Sequence, residues 1–228
     1  MTIIIAECSG NHGGHLNKLK ELIIAAKYSG CDMVKFQAYK PEDMPDDGGD
    51  YKKYAVPVHW YGELFETAKN IGIPLFASVF APWAVKELER YNPPAFKIAS
   101  PESTRLDDKT YREVATAIKM TGRSFIASSG RRDLERILPL APTVLLYCVA
   151  GYPATVDDGD IGFIMSTLFQ GFSDHTADLM APLAMIMAGA EYIEKHFKVD
   201  EDCCDAAFSL TPRQMQTLCR LAHRCDQF

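Results

Sequence analysis

The chain has 228 residues, 47% of them hydrophobic, and 24 Lys and Arg against 30 Asp and Glu, for a net charge of −6. That length and apolar content suit one domain, residues 1–228, with a sizeable core. The acidic balance and scattered basic residues leave no footprint for nucleic acid, and no apolar stretch reaches the roughly 18 residues a membrane span needs.

The predicted elements alternate. A β-branched run, "TIIIAE", ends at Glu7, and a helix is expected over 15–28, with Leu19, Leu22, Ile23 and Ala26 at helical spacing and Gly30 stopping it. "DMVKFQA" is the second strand, followed by a polar, Gly-rich loop over 41–53 and a helix over 60–71 closed by Gly72. "IPLFASVF" precedes a helix over 82–91, and "AFKIAS" precedes one over 107–120, closed by Gly122. "SFIASSG" leads to a helix over 131–140, and "TVLLYCV" to one over 158–168. "GFSD" is a short seventh strand before an Ala- and Met-rich buried helix over 178–188. "EYIEKHF" is the eighth, and the last helix runs over 212–225, with Thr211 as N-cap and Pro212 as its first residue.

Eight strands, each followed by a helix, imply a parallel sheet and a closed α/β (β/α)8 TIM barrel as a single compact domain. An open doubly wound sheet is the second choice. The start "MTIIIAECSG" lacks the basic region of a signal peptide, and the seven Cys contain no CxxC pair. A cytoplasmic protein with reduced thiols is expected.

In such a barrel, chemistry gathers at the C-terminal strand ends. Those ends carry Glu7; Lys35 and Gln37; Ser78; Lys97, Ser100 and Glu102; Ser128 and Ser129; Cys148 and Tyr152; Ser173, Asp174 and His175; Lys195 and His196. A Lys inside an apolar strand is costly unless paired. For one Lys alone, an ion pair with a barrel carboxylate is explanation enough. Lys35, Lys97 and Lys195 converging at one mouth favour a phosphate or carboxylate ligand, with Ser78, Ser100 and Ser129 as further donors.

The consecutive Ser173, Asp174 and His175 spell a hydrolase triad in a row. Neighbours on a strand point in opposite directions, and no GxSxG elbow occurs, which argues against nucleophilic serine chemistry. His175 and His196, at the ends of adjacent strands, suit a divalent metal with open positions; structural roles are the alternative. His12, in "GNHGG", shapes either the site or its turn. Cys203 and Cys204 are adjacent, a poor geometry for one zinc, and are read as loop residues.

The segments "IIAECSGNHGG", "DMVKFQAYK", "PAFKIASPE", "IASSG", "CVAGYP", "GFSDHT", "IEKHF" and "FSLTP" occur in an order that resembles the sialic acid synthase family. Its members are N-acetylneuraminate synthases and their legionaminic and pseudaminic acid relatives. The resemblance covers nearly the whole chain. It implies a barrel that binds phosphoenolpyruvate, an amino-sugar acceptor such as N-acetylmannosamine, and a divalent metal, manganese first, with magnesium or cobalt as substitutes. His175 and His196 would hold the metal. Lys35, Ser78, Lys97, Ser100, Ser129 and Ser173 would hold phosphoenolpyruvate. Glu7, Gln37 and Glu102 would lie near the sugar or the reacting centre, Tyr152 matches the family Tyr before Pro, and Asp205 matches an Asp that binds acceptor hydroxyls.

The implied reaction is an aldol-type condensation giving a nine-carbon 2-keto sugar acid and phosphate. Lys35 and Lys97 would neutralise the phosphate, and Glu7 or Glu102 would handle a proton or a water. The alternatives are a metal-assisted lyase or aldolase on a keto acid, and a non-catalytic barrel acting as a binding partner.

Several positions depart from the family pattern. Val79 stands for Pro, Tyr147 for His, Val149 and Ala150 for Thr and a polar residue, and "VDEDCCDAAF" is short and lacks an Arg. The family's C-terminal antifreeze-like domain is expected to be absent. A homodimer, or a separate chain supplying that domain, is the expected partner.

Overall fold

Strand β1 (Ile3–Glu7) pairs in parallel with both β2 (Met33–Ala38) and β8 (Tyr192–His196), and this double pairing closes the sheet. Between them run β3 (Leu75–Val79), β4 (Ala95–Ile98), β5 (Ser124–Ser129), β6 (Val144–Cys148) and β7 (Gly171–Asp174), in the order β1 to β8 around a closed barrel. The structure is a computed structural model describing residues 2–104, 106–155 and 168–225, apart from the side chains at 102 and 103. The helix expected over 158–168 and the Glu102 side chain therefore lie outside the described residues.

The helices are α1 (Leu16–Tyr28), α2 (Tyr51–Tyr54), α3 (Tyr61–Ile71), α4 (Pro82–Glu89), α5 (Pro101–Thr104), α6 (Asp108–Thr121), α7 (Leu134–Ile137), α8 (Met180–Met187) and α9 (Pro212–Cys225). Gly72 and Gly122 end α3 and α6 at φ of +68° and +70°, a left-handed turn that only Gly adopts without strain. At the start of α9, Thr211 and Gln214 cap each other, the Gln214 side chain accepting from the Thr211 N–H at 2.9 Å. The short α2 and α5 carry no periodic signal. The helix expected over 131–140 is broken: 3-10 turns at Arg131–Asp133 and Leu138–Leu140 flank a one-turn α7. Pro139 has no N–H for an α-helical bond and its ring crowds the preceding turn.

Side chains alternate across each strand, so the sheet has two cores. Outward residues such as Val34, Phe36, Phe96 and Phe125 join helix residues such as Leu19, Leu22, Tyr61 and Leu64 in one buried layer. Inside, Ile5, Phe76, Ala95, Ile126, Val144 and Leu146 plug the lower barrel, with Ile3, Met33 and Tyr192 against them. Burying each large side chain contributes about 1.5–3 kcal/mol. Above this plug the inward positions become polar. Among the described residues, no helix is long and apolar enough to cross a membrane.

Candidate active site

One step above the apolar plug, the ladder register sets polar residues side by side. Glu7 stands opposite Lys35 on one side and His196 on the other. Ser78 is level with Gln37 and Lys97, and Ser173 with Cys148 and Glu194. These residues line a cavity of about 180 Å³ that also touches Ser9, Met44, Tyr51, Phe80, Ser100, Ser128, Tyr152, His175 and Asp205.

Its floor is a buried chain of alternating charge. Lys35 forms an ion pair with Glu7, donates to Ser78 Oγ at 2.7 Å, and lies 3.7 Å from Glu194 Oε2. Lys97 forms an ion pair with Glu194, whose Oε1 also accepts from Ser173 Oγ at 2.9 Å. Burial favours neutral forms. It pulls the Lys35 ammonium below the usual lysine range, with the attraction of Glu194 offsetting part of this and repulsion from Lys97 adding to it. Burial also works against the Glu194 carboxylate, but Lys35 and Lys97 outweigh it and hold Glu194 below the carboxylate range. Two cations and two anions balance, so an anionic ligand would meet preorganised ammonium groups without leaving bare charge behind when it departs.

Two hydroxyls complete the polar wall. Ser100 Oγ and Ser128 Oγ are buried and have no hydrogen-bond partner among the described residues, and both residues line the cavity. A buried donor left unpaired costs about 1–3 kcal/mol, which a ligand oxygen would recover.

At the rim, the His175 and His196 rings lie 5.3 Å apart between centroids. His175 Nδ1 is 2.9 Å from the Val149 carbonyl, so it carries the proton and donates. His196 Nδ1 is 2.9 Å from Asp205 Oδ2 and donates likewise. Each ring keeps Nε2 as its lone-pair donor, the arrangement metal-ligating histidines adopt. Burial, then repulsion from His196, pushes the His175 pKa down to about 3, so the ring is neutral at pH 7. Burial would raise the Asp205 carboxyl, yet its hydrogen bond to His196 holds it down to about 2. Two imidazoles, each held at Nδ1, fit a divalent ion. Among the described residues no group of three His, Cys, Asp or Glu could hold one, so water or substrate would fill the remaining positions.

Of the residues singled out from sequence, Glu7, Lys35, Gln37, Ser78, Lys97, Ser100, Tyr152, Ser173, His175, His196 and Asp205 line this cavity. Two do not. Lys195 faces the opposite side of the sheet, where it donates to Asp174 Oδ2 at 2.6 Å. Ser129 also points away and donates to the Gly130 carbonyl at 2.9 Å, while Ser128 takes the inward position. In both cases the strand's alternation sets the face. Asp205 reaches the cavity as the hydrogen-bond partner of His196. Sequence reasoning missed Glu194, though it sits two residues before His196 on the same strand face. His12 is buried but does not line the cavity, its Nδ1 accepting from the Gly14 N–H at 3.1 Å within its own turn.

The departures from the family pattern also find places. Tyr147 faces the helices and stacks with Phe172 at 6.3 Å. Val149 serves through its carbonyl on His175, a bond indifferent to its side chain. Cys203 and Cys204 lie in the loop before Asp205, half-buried and exposed, respectively.

A model of the NeuB family matches residues 22–228. The chain is 34% identical over 241 residues to the pseudaminic acid synthase of Campylobacter jejuni, a match covering 91% of this chain and 68% of that one. It is 30% identical over 256 residues to the N,N'-diacetyllegionaminic acid synthase of Legionella pneumophila, covering 94% and 69%. The N-acetylneuraminic acid (sialic acid) synthetase of Leptospira borgpetersenii, solved in complex with citrate, superposes with a TM-score of 0.87 at 27% identity, over 99% of this chain and 84% of that one. Motif order, barrel and family match agree: the chain belongs to the NeuB family.

Proposed function

We propose that this protein condenses phosphoenolpyruvate with the open-chain aldehyde of an N-acylated amino sugar, N-acetylmannosamine or a related aldose, giving a 2-keto sugar acid and phosphate. The observation that carries this reading is the pairing, in one cavity, of two buried lysines with two imidazoles whose Nδ1 atoms are each held by a hydrogen bond. The synthase relatives support the same chemistry.

Lys35 and Lys97 neutralise the phosphate and carboxylate of phosphoenolpyruvate, Ser78, Ser100 and Ser128 donate hydrogen bonds to its oxygens, and Ser173, whose hydroxyl donates to Glu194, lines the same cavity. Glu194 spaces the two ammonium groups and, together with Glu7, balances them in the free protein. A divalent ion on His175 and His196, manganese or failing that magnesium or cobalt, would polarise the acceptor aldehyde. Asp205 holds the His196 proton at Nδ1, and the Val149 carbonyl does the same for His175. The new bond joins C3 of phosphoenolpyruvate to the aldehyde carbon. Water adds at C2, the C2–O bond to the bridging oxygen breaks, and phosphate leaves. Glu7, fixed by the Ser9 N–H at 2.6 Å, is the carboxylate that holds the attacking water or takes its proton. Glu102 shares that assignment by family resemblance. Gln37, Tyr152 and Asp205 at the rim face the acceptor.

The test is phosphate release from phosphoenolpyruvate with Mn2+ across a panel of N-acylated aldoses. Release that depends on one sugar, with stoichiometric keto acid, supports the reading. No release with any sugar, together with no Mn2+ binding, removes it.

A further inference from the structure

We propose that Asp174 and Lys195 are positioning residues: their ion pair, behind the sheet, sets the separation at which β7 and β8 carry His175 and His196. The inference deepens the metal reading of the two histidines and takes its functional weight from it.

Asp174 and Lys195 each immediately precede one of the histidines, and they are cross-strand partners in the β7–β8 ladder. Alternation turns both away from the cavity, toward the layer where α8 packs over β7. Both are fully buried. Lys195 Nζ crosses from β8 to β7 and donates to Asp174 Oδ2 at 2.6 Å and to the Thr176 carbonyl. Asp174 then binds the same Thr176 twice, accepting from its N–H at 2.9 Å and its hydroxyl at 3.1 Å. Thr176 is thus held at its nitrogen, hydroxyl and carbonyl. His175 lies between two clamped residues, and its own carbonyl accepts from the Ala154 N–H at 2.8 Å.

A buried ion pair is a poor way to gain stability, because the desolvation of two charges offsets much of their attraction. Phe172, Ile193 and Phe197 show that this layer accepts apolar side chains at neighbouring positions. What charge adds here is direction. The Lys195 ammonium ties one strand end to the backbone that leaves the other, one residue from each imidazole. A slip of β7 against β8 would move His175 off the Val149 carbonyl and change the distance between the two Nε2 atoms. Metal ligands tolerate deviations of only about 0.2 Å.

The experiment compares Lys195→Met, the apolar double variant Asp174→Leu with Lys195→Met, and Lys195→Arg as the conservative form. Histidine-selective 15N NMR reads which ring nitrogen carries each proton, calorimetry reads Mn2+ affinity, and thermal unfolding reports integrity. We expect His175 and His196 to show fixed Nδ1–H signals in the wild type and in Lys195→Arg. In the double variant the His175 signal should shift to mixed tautomers and Mn2+ binding should weaken at least tenfold, although unfolding stays cooperative. A folded double variant with unchanged imidazole signals overturns the proposal. If the wild type itself binds no Mn2+, the metal reading falls, and the imidazole signals still decide the positioning role.

Discussion

Glu194 lies between Lys35 and Lys97: its Oε2 is 3.7 Å from Lys35 Nζ, and its Oε1 is ion-paired to Lys97 and accepts from Ser173 at 2.9 Å. Glu194 thereby bridges two buried ammonium groups at the base of the cavity, and Glu7 pairs with one of them. Glu194→Gln leaves those cations short of counter-charge and should destabilise the free protein by about 3–5 kcal/mol. Phosphoenolpyruvate should restore part of that loss, so its stabilising effect in chemical denaturation is expected to be larger in the variant than in the wild type. Equal effects in both would contradict the placement of the ligand over this charge chain.

Asp205 orients His196 through the Nδ1 hydrogen bond of 2.9 Å. Asp205→Ala is expected to weaken Mn2+ binding about 10–100-fold, the usual effect of removing a carboxylate behind a ligating histidine. Calorimetry checks this. Asp205→Asn, which keeps an acceptor oxygen, should lose less. Unchanged affinity in Asp205→Ala would contradict a supporting role for Asp205 behind a metal-ligating His196.

The two serines at the end of β5 make a paired control. Ser128→Ala removes a cavity hydroxyl and should raise KM for phosphoenolpyruvate about 5–10-fold, the equivalent of one hydrogen bond. Ser129→Ala, on the other face, should leave KM unchanged. Steady-state kinetics separates them, and the reverse pattern would mean that the strand face is wrongly assigned.

In metal-free protein, His175 makes stability acid-sensitive. Its folded-state pKa, about 3, lies below the ordinary value of 6.5, so the unfolded chain takes up the proton first. Stability is then full above pH 6.5 and is lost as pH falls from 6.5 toward 3. His12, pushed down to about 4 by burial, acts in the same direction. Between pH 6 and 4, His175→Gln should flatten the dependence by about 1.4 kcal/mol per pH unit. Denaturant titrations in the presence of a chelator check this, and parallel slopes would rule it out.

The barrel was legible because each strand of a closed parallel sheet is buried on both faces and reads as a short apolar run between amphipathic helices. The same property hid the faces. In "SFIASSG" and "IEKHF" both sides of the strand are buried, so residue type does not tell Ser128 from Ser129 or Glu194 from Lys195. Closure and register decide it, and the ladder opposite β1, with Glu7 against His196, puts Glu194 inside and Lys195 outside. "GFSDHT" divides the same way, Ser173 and His175 toward the cavity and Asp174 behind it. Pro139, visible in the sequence, was enough to break the helix over 131–140.

The central claim is tested most directly with phosphoenolpyruvate labelled with 18O at the bridging oxygen, incubated with Mn2+ and the acceptor sugar that supports turnover. Condensation with C–O cleavage predicts that the label leaves entirely in the phosphate and that the 2-keto acid takes its C2 oxygen from water. Label retained in the organic product, which signals P–O cleavage, would contradict the proposed reaction.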